Sequence, residues 1–425
     1  MTHQLRKKTV VSLTQLAVVS DSRTFKIAAS FARFGYRSVV VEGGFSTIGH
    51  DELPFTLISL GRQSAKKRSE GEDTQTHSTR RLWLRAIWRY AYRSRWFPTL
   101  LLFLPWLGWY IRVHFVRPFP RIPGATVYYL HSYPYFPAIF LAAWRYRARI
   151  IYDAHDFHAG MGVEEETRLD RYIGPFFLGL ERRLIASAQA VVTVCDGVAG
   201  LIEKRFGRRP LVLRNNHDPR LDRAPSATIR DVLKLAPEVF LTLTIGNAKK
   251  GLALDSVIAA AEKLPGHVHF AFLGRGYRMH SEKVKHAGLT SRIHFLEPVS
   301  ACEVVPFVAS ANASLILYYA RGQNYRFALP NKFFQSIAAG LPILYPDLPE
   351  IRRLAEKRDL GLMIDTRNSD SIAEAILWLA SRPKLCEEIS MRVRKAAEEL
   401  SWEHEETALR SLIDGVVECS GTKGG

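Results

Sequence analysis

The stretch LPNKFFQSIAAGLPILYPDLPE, residues 329–350, decides the fold of this 425-residue chain. Pro330 suits a first helical position, and Gly340 suits the left-handed residue that ends a helix. Apolar residues recur between them at helical spacing, and apolar runs flank them at Ala313–Tyr319 and Pro342–Tyr345. This order predicts two parallel strands joined by a short helix, which begins near the carboxyl ends of the strands.

The amino end of that helix has two interpretations. Its free N–H groups and the helix dipole favour an anion such as a phosphate at this position. An ordinary packing helix would have the same pattern of apolar residues, so spacing alone leaves both interpretations open.

A longer run around the same helix, QNYRFALPNKFFQSIAAGLPILYPDLPEI, resembles the donor-site signature of family 4 glycosyltransferases. These enzymes have the GT-B fold, so the resemblance implies an α/β protein with two doubly wound, Rossmann-like domains facing across a cleft. The implied acceptor-side domain covers residues 1–222 and contains, at 60–121, a loop and a hydrophobic, basic helical insertion. A linker at Asp222–Glu238 leads to the nucleotide-sugar donor domain at 238–400. The last helix, at 402–420, returns to the first domain.

Length and cysteine content agree with an intracellular two-domain protein. A chain of 425 residues can form two full cores. Its four cysteines lie far apart with no CxxC pair, which argues against a disulfide framework and a zinc site and fits a reducing cytoplasm. The basic, apolar N-terminus raises the possibility of a signal peptide. Because Ser12, Thr14 and Gln15 interrupt the apolar run, we favour a first strand.

The net charge of +18 is concentrated in one segment: residues 62–121 contain thirteen Lys or Arg and three acids. Tryptophan and arginine alternate over residues 80–120. The uncharged part, 96–111, contains Pro98 and Pro105 and is shorter than the roughly 20 residues of a spanning helix. The pattern predicts attachment to an anionic membrane surface; a buried helical pair and a true span remain alternatives. No RNA-binding signature accompanies the patch, so no nucleic-acid partner is expected.

Asp21 and Arg23 follow a strand predicted at Val10–Val19 and precede a helix predicted at Thr24–Phe34. The run SDSRTFKIAASFARFGYRSVVVEGG resembles the opening βαβ unit of the same family, which implies a place for both side chains on the acceptor side. The alternative is a helix cap for Asp21 and a solvated side chain for Arg23.

His155, Asp156 and His158 follow the strand predicted at Arg149–Asp153, at the sheet edge where open α/β proteins bind ligands. The segment IIYDAHDFH resembles the family's "YDaHE", which implies that His155 approaches the transferred sugar as a catalytic residue. The implied acceptor-side residues are Asp21, Arg23, His131, Asp156 and His158. A structural His155 is one alternative. A metal site at Asp153, His155 and His158 is another, although an alternating strand would separate those ligands.

The second domain opens with a strand predicted at Phe240–Ile245 and the turn GNAKKG. Leu252 and Ala253 stand where a Walker loop requires Lys and Ser or Thr, which excludes an ATPase. The turn resembles the family's "GR…KG", which implies that Lys250 grips the donor diphosphate as a catalytic residue and that Asn247 replaces the usual Arg. The implied donor-binding residues are Gly246, Asn247, Lys250, Gly274, Arg275, Gly276, Val299, Ala328, Leu329, Asn331, Lys332 and Gln335.

The family's pair of glutamates maps onto Phe327 and Gln335. An amide oxygen accepts hydrogen bonds more weakly than a carboxylate, so Gln335 is compatible with weak donor binding, an unusual donor or a non-catalytic copy. No DxD triplet occurs in the chain, which indicates transfer without a metal, and no cofactor is expected.

We therefore predict a glycosyltransferase of hexosyltransferase type that moves a sugar from a nucleotide sugar to a lipid-linked or glycan acceptor. We expect it in the cytoplasm, peripherally attached to the inner membrane face, in polysaccharide or glycolipid biosynthesis. Retention of configuration is implied by the resemblance alone. A catalytically silent GT-B module docked beside other glycosyltransferases and a nucleotide-sugar epimerase are the alternatives.

Overall fold

The computed structural model of the chain describes residues 8–46, 53–61, 99–131, 133–157, 170–248, 253–319 and 322–418. The chain divides into two compact units: the first takes its residues from 1–192, 203–211 and 412–425, the second from 193–202 and 212–411. The domain boundaries at residues 222 and 238 stay predictions. So does the insertion at 60–121, because residues 62–98 of it lie outside the described parts.

The strands of the first sheet are β1 (Thr9–Thr14), β2 (Arg37–Glu42), β3 (Thr56–Ser59), β4 (Val127–Leu130), β5 (Arg149–Asp153), β6 (Ala190–Thr193) and β7 (Leu211–Val212). Their order is β3-β2-β1-β4-β5-β6-β7, and every pair from β3 to β6 is parallel. The central strands are buried along almost their whole length, as in parallel sheets with both faces covered. The helices before the second sheet are α1 (Ser22–Arg33), α2 (Thr99–Ile111), α3 (Phe136–Tyr146), α4 (Asp170–Ser187), α5 (Asp196–Phe206) and α6 (Ile229–Leu233).

The second sheet contains β8 (Phe240–Ile245), β9 (Val268–Leu273), β10 (Ile293–Leu296), β11 (Ala313–Leu315), β12 (Ile343–Pro346) and β13 (Gly361–Ile364). All neighbouring pairs are parallel, in the order β10-β9-β8-β11-β12-β13. The remaining helices are α7 (Leu254–Lys263), α8 (Ser281–His286), α9 (Val304–Val308), α10 (Gln323–Arg326), α11 (Asn331–Ala338), α12 (Pro349–Glu356), α13 (Ser369–Ala380), α14 (Pro383–Glu399) and α15 (Trp402–Glu418). In both sheets the first strand is the third in the order, with later strands on both sides of it, which confirms the prediction of two doubly wound, Rossmann-like domains.

The strand predicted at Val10–Val19 is shorter in the structure and ends at Thr14. Beyond it, the backbone N–H of Leu16 binds the Thr14 hydroxyl at 3.2 Å, and that of Val18 binds the Glu42 carboxylate at 2.7 Å. These bonds to side chains replace the hydrogen bonds of a strand, so the chain turns here.

The central helix, α11, begins one residue later than predicted. Pro330 has extended dihedral angles, φ −76° and ψ 153°, and is the N-cap residue rather than the first helical position. Gly340 has φ +71°, which confirms the predicted left-handed stop.

The predicted linker at Asp222–Glu238 contains α6, which the sequence reading missed. The Thr228 hydroxyl accepts from the backbone of Asp231, and the Asp231 carboxylate accepts from the backbone of Thr228, so the two residues form a capping box. The motif T-x-x-D was visible in the sequence, and it explains why a one-turn helix starts here.

Glu181 on α4 is a buried carboxyl group with a single described hydrogen-bond donor. Its side chain is 1% exposed and accepts from the Tyr152 hydroxyl at 3.0 Å. Burial raises its pKa to about 7, although the bond from Tyr152 acts in the opposite direction. Because the pKa is higher in the folded chain than in the unfolded one, Glu181 costs stability as pH rises from about 4.5 to 7.

We therefore expect Glu181→Gln to stabilise the protein above pH 7 and to have little effect near pH 5. Glutamine keeps an acceptor for Tyr152 but carries no charge to bury, and the gain at pH 8 should be about 1–3 kcal/mol. Urea unfolding at both pH values measures it, with the exposed Glu203→Gln as the control. An equal effect of Glu181→Gln at the two pH values would contradict this assignment.

Candidate functional site

The carboxyl edge of the first sheet brings together the predicted catalytic residue His155 and three predicted acceptor-side residues, Asp21, Arg23 and His131. His131 directly follows β4, His155 lies two residues beyond β5, and Asp21 caps α1 after β1. Parallel strands end at a common edge, which is where doubly wound sheets bind ligands. His158 lies outside the described residues.

Arg23 and Asp153 form a buried ion pair at this edge. The Nε and Nη2 atoms of Arg23 donate to the two carboxylate oxygens of Asp153 at 2.8 and 2.9 Å. The Tyr129 hydroxyl and His131 Nδ1 both lie 3.3 Å from Asp153 Oδ2. Burial alone would raise the pKa of Asp153, but the charge of Arg23 and the bond to His131 outweigh it and hold the pKa far below its usual range. The expectation of a solvated Arg23 is wrong, because this side chain is buried.

Asp21 caps α1, as the alternative interpretation of the sequence expected. Its carboxylate accepts from the Thr24 backbone N–H at 3.1 Å and from the Thr14 hydroxyl at 2.8 Å. Burial acts to raise its pKa, but the charges of His131 and His155 and the bonds from Thr24 lower it. These effects favour the ionised form of Asp21, and its acceptor role stays a prediction.

His155 and Asp156 are half-buried residues after β5. The Nδ1 atom of His155 is buried and has no hydrogen-bond partner among the described residues. The metal alternative at Asp153, His155 and His158 gains no support: Asp153 is occupied by Arg23 and His131, and no group of three potential metal ligands occurs among the described residues.

The predicted donor-binding glycines join two loops of the second unit. Gly246 follows β8 with φ +101°, and Gly274 follows β9 with φ +153°. A β-carbon on Gly274 would lie 2.5 Å from the carbonyl oxygen of Gly246, so only glycine allows the two backbones to approach this closely. The third glycine, Gly276, has φ +90°. Together they let the loops after β8 and β9 approach each other closely at the sheet edge.

Asn247, at the position of the family's arginine, holds these loops together. Its side-chain oxygen accepts from the backbone N–H of Arg275 at 2.9 Å, and the backbone N–H of Ala248 donates to the Arg275 carbonyl at 2.9 Å. The Tyr277 hydroxyl, which the sequence did not suggest, donates to the Gly246 carbonyl at 2.8 Å. Lys250 lies outside the described residues, so its grip on a diphosphate stays a prediction.

The amino end of α11 places a buried cation beside the Gly246 loop. Lys332 is 8% exposed, its ammonium lies 5.0 Å from the centre of the Tyr318 ring, and a β-carbon on Gly246 would be 3.7 Å from it. The neighbouring side chain of Asn331 bonds to that of Asn215, and no side chain caps this helix end. The helix dipole and the ammonium group of Lys332 therefore both make the electrostatic potential positive at the amino end of α11.

For the other predicted donor residues, no contact with the Gly246 and Gly274 loops is described. Val299 packs against the hydrophobic core, and Leu329 is buried beside the half-buried Ala328. Gln335 is half-buried on α11, and its amide has no hydrogen-bond partner among the described residues. Of the donor set, the structure therefore brings together Gly246, Asn247, Gly274, Arg275, Gly276 and Lys332.

Phe327, at the position of the family's first glutamate, is packed in place. Its carbonyl accepts from the Cys195 thiol at 3.3 Å, and its ring leaves no room for a β-carbon on Gly197. Glu350 accepts from the Gly197 backbone at 2.8 Å and pairs with Arg353 at 2.8 Å. Sequence reasoning missed the contacts of Cys195 and Gly197 with Phe327 and Glu350, because they join residues at least 130 positions apart.

Two protein-family models match the sequence and together cover most of it. "Glycosyl transferase 4-like domain" matches residues 21–216, and "Glycosyl transferases group 1" matches residues 240–382. No curated protein matches the sequence significantly.

Solved structures of the same fold cover nearly the whole chain at low identity. Sucrose-phosphate synthase from Thermosynechococcus elongatus superposes with a TM-score of 0.66 at 13% identity, over 97% of this chain and 100% of that one. HepE from Anabaena, in complex with UDP-glucose, superposes with a TM-score of 0.64 at 13% identity, over 96% of this chain and 99% of that one. WaaG, a glycosyltransferase involved in lipopolysaccharide biosynthesis, superposes with a TM-score of 0.63 at 15% identity, over 98% of this chain and 100% of that one.

Proposed function

The chain belongs to the family 4 type of GT-B glycosyltransferases, and we propose that it moves a hexose from a nucleotide sugar to a lipid-linked or glycan acceptor. The observation that carries this proposal is the donor cradle, by which we mean the Gly246 and Gly274 loops and the amino end of α11 with Lys332. The cradle combines close backbone approach, a helix dipole and a buried cation, which together suit a diphosphate. HepE, of the same fold, binds UDP-glucose, which supports a donor of that class.

In the proposed reaction, the bond between the anomeric carbon and the diphosphate breaks, a bond to the acceptor oxygen forms, and the proton of the acceptor hydroxyl passes to the departing diphosphate. The leaving diphosphate takes the electron pair, and stabilising its charge is the main demand on the protein. Lys332 and the dipole of α11 supply that stabilisation, joined by Lys250 as the resemblance implies. With no DxD triplet in the sequence, we propose that transfer needs no metal and, by family, retains configuration.

A panel of nucleotide sugars tests the activity. We expect one donor to raise the melting temperature and to be hydrolysed slowly to nucleoside diphosphate and free sugar. Identical rates with and without EDTA would support metal independence. If no nucleotide sugar raises the melting temperature or is hydrolysed, the proposed activity is wrong.

One alternative rests on Phe327 and Gln335, which replace both family glutamates. A catalytically silent module would bind membranes beside active partners and would show no hydrolysis in the same panel. Gln335→Glu tests the role of this position: if Gln335 contacts the ribose, a carboxylate there should strengthen nucleotide binding, and an unchanged affinity would show that position 335 is not the ribose site.

We further propose that the protein attaches to an anionic membrane on the cytoplasmic face. Helix α2 packs on α4 through Trp106, whose ring lies 5.6 Å from those of Phe176 and Phe177. On its other side, Leu104 and Trp109 are 55% and 54% exposed. No helix in the described ranges is long and apolar enough to cross a membrane. One packed face and one exposed apolar face, together with the arginines that precede and follow α2 in the sequence, support interfacial attachment.

We expect the double variant Leu104→Ser, Trp109→Ser to reduce binding to phosphatidylglycerol-containing liposomes at least tenfold. Burying each of these side chains contributes about 1.5–3 kcal/mol, and serine removes most of that. Flotation measures the bound fraction. The matched control is Leu377→Ser, Met391→Ser, which removes two exposed apolar side chains of the second unit. Undiminished flotation of the Leu104, Trp109 variant would refute the membrane role of α2.

A further inference from the structure

Helix α3 presents a second exposed apolar surface in the first unit. Ala138, Ile139 and the other buried residues on one side of the helix face the core. On the opposite side, Phe140 and Trp144 are 53% and 76% exposed, and residues four positions apart are neighbours on a helix. Tryptophan is highly buried on average, so an indole this exposed beside a second aromatic ring indicates an interaction surface.

The exposed residues of α3 continue those of α2. The π-helical turn Arg112–Val116 extends α2 directly and packs against α3, and Val116 is 55% exposed. Near the end of α2, the Tyr110 hydroxyl donates to the Pro134 carbonyl, just before α3, at 2.7 Å. The two helices are therefore joined within the first unit, and the turn between them is itself partly apolar and exposed.

The charge around these helices has one sign. Residues 99–152 contain six arginines and no Asp or Glu. Arg145 and Arg147 are exposed next to Trp144, and the Arg145 guanidinium lies 5.7 Å from the centre of the exposed Tyr146 ring. Amphipathic aromatic rings among arginines are typical of proteins at an anionic membrane surface. An acidic protein would match the charge as well, but projecting rings on a single helix suit a fluid layer that closes around them.

We infer that α3 is a second membrane contact, in which Phe140 and Trp144 insert among lipid headgroups while Arg145 and Arg147 bind lipid phosphates. This inference rests on the proposed attachment through α2 and adds a contact on a different helix. Two contacts on one compact unit bind more tightly than either alone, because the second contact forms within an already bound molecule. They also fix how the first unit is oriented on the membrane, which one helix does not.

Flotation of the full chain with vesicles of phosphatidylglycerol and phosphatidylcholine tests the apolar part of the contact. We expect Phe140→Ser, Trp144→Ser to weaken binding by roughly tenfold or more, because serine removes most of the apolar surface that would be buried. The control Leu377→Ser, Met391→Ser should bind as the wild type does. Brominated lipids in the vesicles should quench the emission of Trp144, measured as the difference between the wild type and Trp144→Phe.

Arg147 allows a test in which stability and binding respond differently. This residue has φ +53° at the end of α3, a position where glycine is the usual residue. Arg147→Gly should therefore leave the melting temperature unchanged or raise it, yet weaken binding to the anionic vesicles about fivefold. The matched control is Lys234→Gly, at the residue with φ +53° that ends α6 in the second unit, and it should bind as the wild type does.

Unchanged flotation of Phe140→Ser, Trp144→Ser would overturn the inference, as would equal losses in Arg147→Gly and Lys234→Gly. Vesicle binding without quenching of Trp144 would also overturn it and would leave an acidic protein as the partner of α3. If the Leu104, Trp109 variant loses binding while the α3 variant keeps it, the inference fails and the attachment through α2 stands. If neither variant loses binding, both are wrong.

Discussion

Asp153→Ala is expected to lower the free energy of unfolding by about 3–5 kcal/mol, the usual cost of leaving one partner of a buried ion pair alone. Asp153 accepts two bonds from Arg23 and lies within 3.3 Å of the Tyr129 hydroxyl and His131 Nδ1. Removing the carboxylate leaves a buried guanidinium without its counter-ion. Urea unfolding at pH 7 measures the loss.

The control for this variant is Asp156→Ala, three residues further along the chain. Asp156 is half-buried and has no described ion pair, so its removal should change stability by less than about 0.5 kcal/mol. The double variant Arg23→Met, Asp153→Leu removes both charges and should regain most of the loss. A loss below about 1 kcal/mol for Asp153→Ala would contradict this view of the pair.

The same pair predicts a pH dependence with a definite sign. Arg23 and His131 hold the pKa of Asp153 below its usual value despite burial. Its stabilising contribution is therefore complete above about pH 4 and is lost as pH falls further. The difference between wild type and Asp153→Ala should be constant from pH 6 to 8 and should shrink below about pH 4.

Gly274→Ala is expected to weaken nucleotide binding by more than tenfold. The new β-carbon would lie 2.5 Å from the Gly246 carbonyl oxygen and 3.0 Å from the Asn247 nitrogen, at a φ of +153° that side chains rarely adopt. The loops after β8 and β9 must then separate, which breaks the bond from Arg275 to Asn247. Titration calorimetry with UDP measures the effect.

Gly266→Ala is the matched control for Gly274→Ala. Gly266 precedes β9 in the same unit, and a β-carbon there meets no atom within 4 Å. It should bind UDP as tightly as the wild type. Equal affinities of the wild type and Gly274→Ala would show that these loops do not form the donor cradle.

Much of the fold could be predicted because parallel strands and their helices leave local patterns. Strands β5 and β8 are apolar runs in the sequence, and glycines follow α11, β8 and β9. Each of these patterns involves only residues that are close together in the chain, so each can be recognised from the sequence. The Arg23–Asp153 pair could not be predicted, since it joins residues 130 positions apart. For the same reason, the sequence could not show that Asn247 holds Arg275 or that α2 packs on α4.

The central claim is that a diphosphate binds at the amino end of α11, beside Lys332. Lys332→Met keeps the buried aliphatic part of the side chain and removes its charge. UDP contains the diphosphate and uridine does not, so comparing the two ligands separates binding of the diphosphate from binding of the base. We predict that titration calorimetry will show UDP binding at least tenfold weaker in Lys332→Met, since a charge-assisted hydrogen bond contributes about 1.5–3 kcal/mol, with uridine binding unchanged. Unchanged UDP affinity, or an equal loss for both ligands, would contradict the claim.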